Sequence, residues 1–187
     1  MNINYKLYFR YIFFDLSHLY LNHDVHGSKN ISLVIPKNVI YYLVSHFRFA
    51  TSFYLSQLVD LFAYELPLIS SDVRSFSSNK SVSNSVLVYN FHNLVTHDRF
   101  FLFCVDIGSH SPKSISEFYP NANWLEREVS ELHGTVFDNK RDLRNLMLQY
   151  GDTSTPFRKS SPSIGLKEFF FDSVNDSLVQ LPLSVQV

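Results

Sequence analysis

A chain of 187 residues that is 45% hydrophobic and 18% charged has the makings of one packed domain with extensions, and its composition is not that of an intrinsically disordered polymer. A net charge of -1 and a pI near 6.7 supply no global positive field, which argues against nucleic acid as a partner. Cys104, the single cysteine, excludes an intramolecular disulfide and an all-cysteine zinc or iron–sulfur site.

Residues 1–29 read as an N-terminal extension, aromatic at first and then polar. Its apolar run is interrupted by Lys6, Arg10, Asp15 and His18, so it is no transmembrane span, for which about 20 nearly uncharged residues are needed. It also lacks the marks of a secretory signal or a transit peptide, so the protein is expected to be cytosolic or made where it works. His23, Asp24 and His26 lack further spaced ligands and read as a solvated turn, not a metal site.

The α+β core is expected over 30–135, as a small mixed sheet with packed helices. Ile31–Ile35 alternates and stops at Pro36, as a strand does. From Asn38, the positions Val39, Tyr42, Leu43, His46, Phe47 and Phe49 recur at steps of three and four or close to it, predicting a helix with one buried stripe. Phe53–Ala63 fits strand or helix, and strand is favoured. Residues 70–85 are serine-rich and aperiodic, the composition of a surface-loop insertion. Val86–Leu94 and Phe100–Ile107 are β-branched and aromatic runs, joined as a hairpin. Cys104 lies in the second of them and reads as strand packing.

Ser114 and Glu117 have capping-box spacing and predict a short helix through Tyr119, ended by Pro120. Asn123 reads as the cap of a longer helix, with Leu125, Val129 and Leu132 on one face and Gly134 as its stop. Arg127 and Glu131, one turn apart, are expected to pair, with Glu126 and Glu128 beside them on a solvated face. Glu126 and Glu128 diverge on a helix, which disfavours a paired-carboxylate hydrolase. Residues 136–187 are expected to form an extended C-terminal tail that wraps a partner. Pro156, Pro162 and Pro182 forbid a continuous helix, while Phe157, Ile164, Phe169, Phe170, Phe171 and Leu178 need covering. The competing reading makes Lys167–Phe171 a last strand of the protein's own sheet.

Tyr119–Glu128, including Asn123, Trp124, Glu126, Arg127 and Glu128, is followed by Gly134, Asp142, Leu143, Arg144, Tyr150, Gly151, Pro156, Arg158 and Lys159. In order and nearly in spacing, this series resembles the signature of the mitochondrial subunit nine (30-kDa-type) family of respiratory complex I, the proton-pumping NADH:ubiquinone oxidoreductase. The sequence departs from the family pattern at His133, where an aromatic is usual, at Ser154-Thr155 before Pro156, where Gly-His is common, and at Ser160, where an acid is usual.

The resemblance implies a non-catalytic structural subunit of the peripheral arm, packed on the large quinone-site subunit and other peripheral-arm subunits. It implies no cofactor in this chain, the flavin and iron–sulfur clusters belonging to partner subunits. It also implies a place on the matrix side of the mitochondrial inner membrane, peripheral to it, and the aromatic-rich composition fits an organelle-encoded chain. The residues themselves offer no Gly-rich phosphate loop, metal-spaced His cluster or nucleophile elbow. The alternatives are a companion subunit of a membrane-bound hydrogenase-type complex and a free-standing protein-binding domain.

Overall fold

The computed structural model describes residues 20–23, 31–50, 56–66, 85–95, 97–105 and 111–183. Its elements are β1 (Tyr20–His23), β2 (Ile31–Ile35), α1 (Lys37–Phe49), β3 (Ser56–Glu65), β4 (Ser85–Asn93), β5 (Arg99–Val105), α2 (Ala122–His133), β6 (Lys167–Asp172) and β7 (Ser177–Pro182). Five strands form one mixed sheet in the order β1-β2-β5-β4-β3, and β6 and β7 form a separate two-stranded sheet. Within the larger sheet β2 and β5 run parallel and the other neighbours antiparallel. The α+β architecture with a small mixed sheet is thus the expected one.

Alternation places Leu61, Tyr89, Leu102 and Leu33 in one row across β3, β4, β5 and β2, all buried on the face that meets the helices. A β-bulge between Leu58 and Asp60 lets Leu58 and Leu61, three apart, both face inward. Over this face α1 lays Ile40, Leu43, Val44 and Phe47, with Phe47 edge-on to Phe91 and Phe100. From α2, Ala122 and Val129 enter the same core.

Several expectations need correction. On α1 the stripe is shifted: Tyr42 and Phe49 are exposed, because they fall outside the arc that Ile40, Leu43, Val44 and Phe47 share. The strand expected over Phe53–Ala63 is β3, and residues 53–55 lie outside the described set. The N-terminal extension is not wholly separate from the core, since β1 pairs with β2. The serine-rich stretch lies outside the described residues except Ser85, which opens β4.

The expected helix at 114–119 is a single turn, with Phe118 and Tyr119 donating to the Ile115 carbonyl. Its capping box does not form. Ser114 instead donates to Glu126, and Glu117 accepts from the Tyr41 hydroxyl. Asn121, not Asn123, stands at the α2 N-cap, and its side-chain amide donates to the Leu58 carbonyl rather than capping. Gly134 ends α2 as expected, in the left-handed conformation.

The core does not stop at residue 135: Phe137 is buried in it, and the backbone of Ser114 and Asp138 is hydrogen-bonded. Nor is the stretch after Tyr150 simply extended. Phe157 donates its backbone N–H to the Leu132 carbonyl, and the Lys159 N–H reaches the Glu65 carboxylate, so this segment folds back on the chain. Lys167–Phe171 is a strand, but it pairs with β7 instead of joining the main sheet.

Candidate functional site

The site is built around α2. Glu126 lies one turn from Ala122 and from Val129, on the same stripe as these apolar residues, so the helix carries its carboxylate into the interior, where it is fully buried. It is not on a solvated face. Burying a carboxylate costs more than the fold can bear unless it is paired and hydrogen-bonded. Here the Lys140 ammonium lies 3.0 Å away, and the Ser114 hydroxyl and Ile115 N–H each donate at 2.7 Å. Lys140 spends its other donors on the Asn123 carbonyl and side-chain oxygen, at 3.0 and 2.9 Å. Every charged atom of the pair is met, and the pair ties the turn at Ser114 and the loop at Lys140 to one helix.

Arg127 and Glu131 do not pair with each other. The Arg127 guanidinium donates to the carbonyls of Arg144 and Asn145, at 2.9 and 3.1 Å, lies 3.6 Å from the Asp142 carboxylate and sits over the Trp124 ring. Glu131 accepts the backbone N–H groups of Leu146, Met147 and Leu148. One helix face therefore grips the 142–148 loop by both polarities of its backbone, carbonyls at one end and amides at the other. Asp142 makes a two-pronged contact with Arg144, both bonds 2.9 Å, and this contact above all holds its carboxyl well below the usual carboxylate range.

Held in this way, the loop leaves Leu143 and Met147 more than 60% exposed, as are Trp124 on α2 and Tyr150 just beyond the loop. Glu128 is half-buried on the flank of α2, and Gly151 takes a positive φ in the exposed chain just after Tyr150. The arrangement presents apolar side chains on a fixed backbone, which suits docking to a protein surface. Nothing in it converges a nucleophile and a base.

At the other end of α2, Arg158 donates to the His133 carbonyl at 2.7 Å and the His133 ring packs edge-on to Phe157, while Pro156 and Lys159 stay exposed. Burial, above all, lowers the His133 pKa. Gly134 fits here because its φ is +71° and because a Cβ would stand 2.9 Å from both Thr155 and Arg158 side-chain atoms. Gly134→Ala should therefore destabilise the chain by about 1 to 2 kcal/mol and speed amide exchange at Phe157. An unchanged urea midpoint together with unchanged exchange would show that the junction tolerates a Cβ.

The structure thus divides the residues singled out from sequence. Asn123 and Glu126 serve the buried network, Arg127, Asp142 and Arg144 the loop clamp, Trp124, Leu143 and Tyr150 the exposed patch, and Gly134 and Arg158 the junction. Sequence reasoning missed Lys140, the part of Ser114 in the buried network and the loop-capping role of Glu131. The stripe position of Glu126 was the available signal, since a buried carboxylate requires a cation. Among the described residues, no group of three His, Cys, Asp or Glu side chains is placed to hold a metal, and no helix is long and apolar enough to cross a membrane.

Residues 33–166 match the family model described as respiratory-chain NADH dehydrogenase, 30 Kd subunit. NADH-ubiquinone oxidoreductase subunit 9 of Paramecium primaurelia is 39% identical over 121 residues, covering 63% of this chain and 56% of that protein. A subunit of the NADH-quinone oxidoreductase of Cereibacter sphaeroides is 28% identical over 165 residues, covering 88% and 76%. The chain thus spans little more than half the length of the Paramecium relative. Among solved structures, a trypsin-resistant fragment (1-134) of Nqo5 has the same fold, with a TM-score of 0.51 at 19% identity over 74% of this chain and 99% of that one. A chain of an archaeal membrane-bound sulfane sulfur reductase complex shares it too, with a TM-score of 0.53 at 13% identity over 80% and 76%.

Proposed function

The chain belongs to the family of the 30 Kd subunit of respiratory-chain NADH dehydrogenase, and from that membership we propose that it is a non-catalytic structural subunit of the peripheral, matrix-side arm of mitochondrial complex I. In this reading it scaffolds the large quinone-site subunit, holds no flavin, iron–sulfur cluster or quinone of its own, and serves an enzyme that couples electron transfer from NADH to ubiquinone with proton pumping. It lies against the inner membrane without crossing it and is encoded in the organelle. The name of the Paramecium relative supports ubiquinone as the acceptor.

The observation that carries the reading is the clamped 142–148 loop, whose exposed Leu143 and Met147 stand on a backbone fixed from α2, the helix that also exposes Trp124. A fixed apolar patch of this kind favours permanent docking, because little conformational entropy is lost on binding. Family membership favours complex I over a hydrogenase companion or a free-standing binding domain.

The test is to isolate a tagged chain from gently solubilised membranes. It should come in an assembly that contains an NADH-oxidising flavoprotein, while the chain alone should show no NADH or quinone turnover. A monodisperse monomer in native extracts, or flavin or iron bound to the isolated chain, would overturn the proposal.

A further inference from the structure

The β6–β7 hairpin stands apart from the main sheet as a two-stranded ribbon. Its register places Phe169, Phe171 and Leu178 on one face with Lys167, and Phe170, Val179 and Leu181 on the other with Glu168 and Asp172. Neither face is covered by the described residues: Phe169, Phe171 and Leu178 are 54, 60 and 70% exposed, and Phe170 and Leu181 are 44 and 46%. A lone two-stranded ribbon is marginal in water, and an apolar face on each side makes this one more so.

Resting on the subunit reading above, we propose that the hairpin is a two-sided insert. It enters a cleft in a different polypeptide of the assembly, with both walls of the cleft apolar and basic side chains on the wall that meets Glu168 and Asp172. The two faces differ in charge, one carrying Lys167 and the other two carboxylates, so the walls differ correspondingly. Asp172 accepts from the Val174 N–H and the Asn175 side chain, which fixes its carboxylate at the turn end of that face.

A second copy of this chain does not fit. A closed two-fold contact uses the same patch on both copies. Stacking the Phe170 faces would bring two Glu168 and two Asp172 carboxylates together, and stacking the Phe169 faces would leave both Phe170 faces in water.

Exposed polar positions on each face allow a test that leaves the apolar residues intact. Gln180 shares the face of Phe169, and Ser177 that of Phe170. Gln180→Cys and Ser177→Cys are labelled with a small maleimide in the free subunit and in the isolated assembly. Cys104 gives no background, because it is buried and burial pushes its thiol up to about 12. Both new thiols should label readily in the free subunit and about tenfold or more slowly in the assembly, as access to the thiolate is lost.

Slowing at one position only, or at neither, in an assembly that contains the chain overturns the two-sided insert and leaves the subunit reading intact. If the chain is found in no assembly, the subunit reading fails first. Glu168→Lys, which sets a cation against the basic wall, should also lower the fraction of chain recovered in the assembly several-fold, and further than Lys167→Ala does. Equal recovery of the two variants would remove the basic wall.

Discussion

Replacing Lys140 by Met should cost the folded chain about 3 to 5 kcal/mol, because it leaves a buried carboxylate without its counter-ion. Glu126 is fully buried. Its remaining donors, the Ser114 hydroxyl and the Ile115 N–H, satisfy lone pairs but carry no full charge. Met keeps most of the volume of Lys, so a cavity contributes little and the loss reports on charge. Adding Glu126→Gln to Lys140→Met should recover a substantial part of it, since a neutral carboxamide oxygen still accepts from Ile115. Urea midpoints for the two single variants and the double variant decide the matter. If Lys140→Met alone loses under about 1 kcal/mol, the pair is not the anchor described here.

The second large effect is on assembly. Arg127→Ala removes the guanidinium that holds two carbonyls of the 142–148 loop and lies beside Trp124. Losing these charge-assisted bonds costs the ordered loop about 1.5 to 3 kcal/mol, and the apolar side chains that the loop presents lose their fixed backbone with it. The amount of assembled complex should fall accordingly, while turnover per assembled complex should change little. Trp124→Ala separates docking from folding, because it leaves the loop's backbone bonds in place. It should lower assembly without moving the urea midpoint. A variant of Arg127 that assembles at the normal level yet is inactive would contradict a purely structural role.

Much of the fold was legible where signals are local. Pro36 stops β2, the aromatic and β-branched runs at β4 and β5 make a hairpin, and Gly134 closes α2 in the conformation that glycine adopts most easily. The site was legible as a series of residues but not as a geometry. Glu126, Arg127 and Glu131 read from spacing as a solvated charged face, yet each has its partner in a loop more than ten residues further on. Such tertiary partners leave no periodic trace. The capping box at Ser114 failed for the same reason, since the Ser114 N–H goes to the Asp138 carbonyl and Glu117 accepts from the Tyr41 hydroxyl instead of reaching back.

In the tail, the prolines suggested an extended course, but Pro182 stands at the last position of β7, where a missing N–H is tolerated. The hairpin turn had a visible mark in Asn175-Asp176, with Asp176 at a φ of 49°.

The parallel pairing at the centre of the sheet bears on the order of events in folding. β3, β4 and β5 follow one another as an antiparallel meander, but β2 pairs across a long stretch of chain, Ile31 against Phe100. Local pairings close quickly, and distant ones must first overcome loop-closure entropy. During synthesis β2 and α1 emerge before the strand they need, and their apolar side chains wait in water until β5 is made. The slow step is therefore the seating of β2 and α1 on a meander already formed. Substitutions in β2 should act mainly on the rate of unfolding, and substitutions at the β4–β5 pairing mainly on the rate of folding.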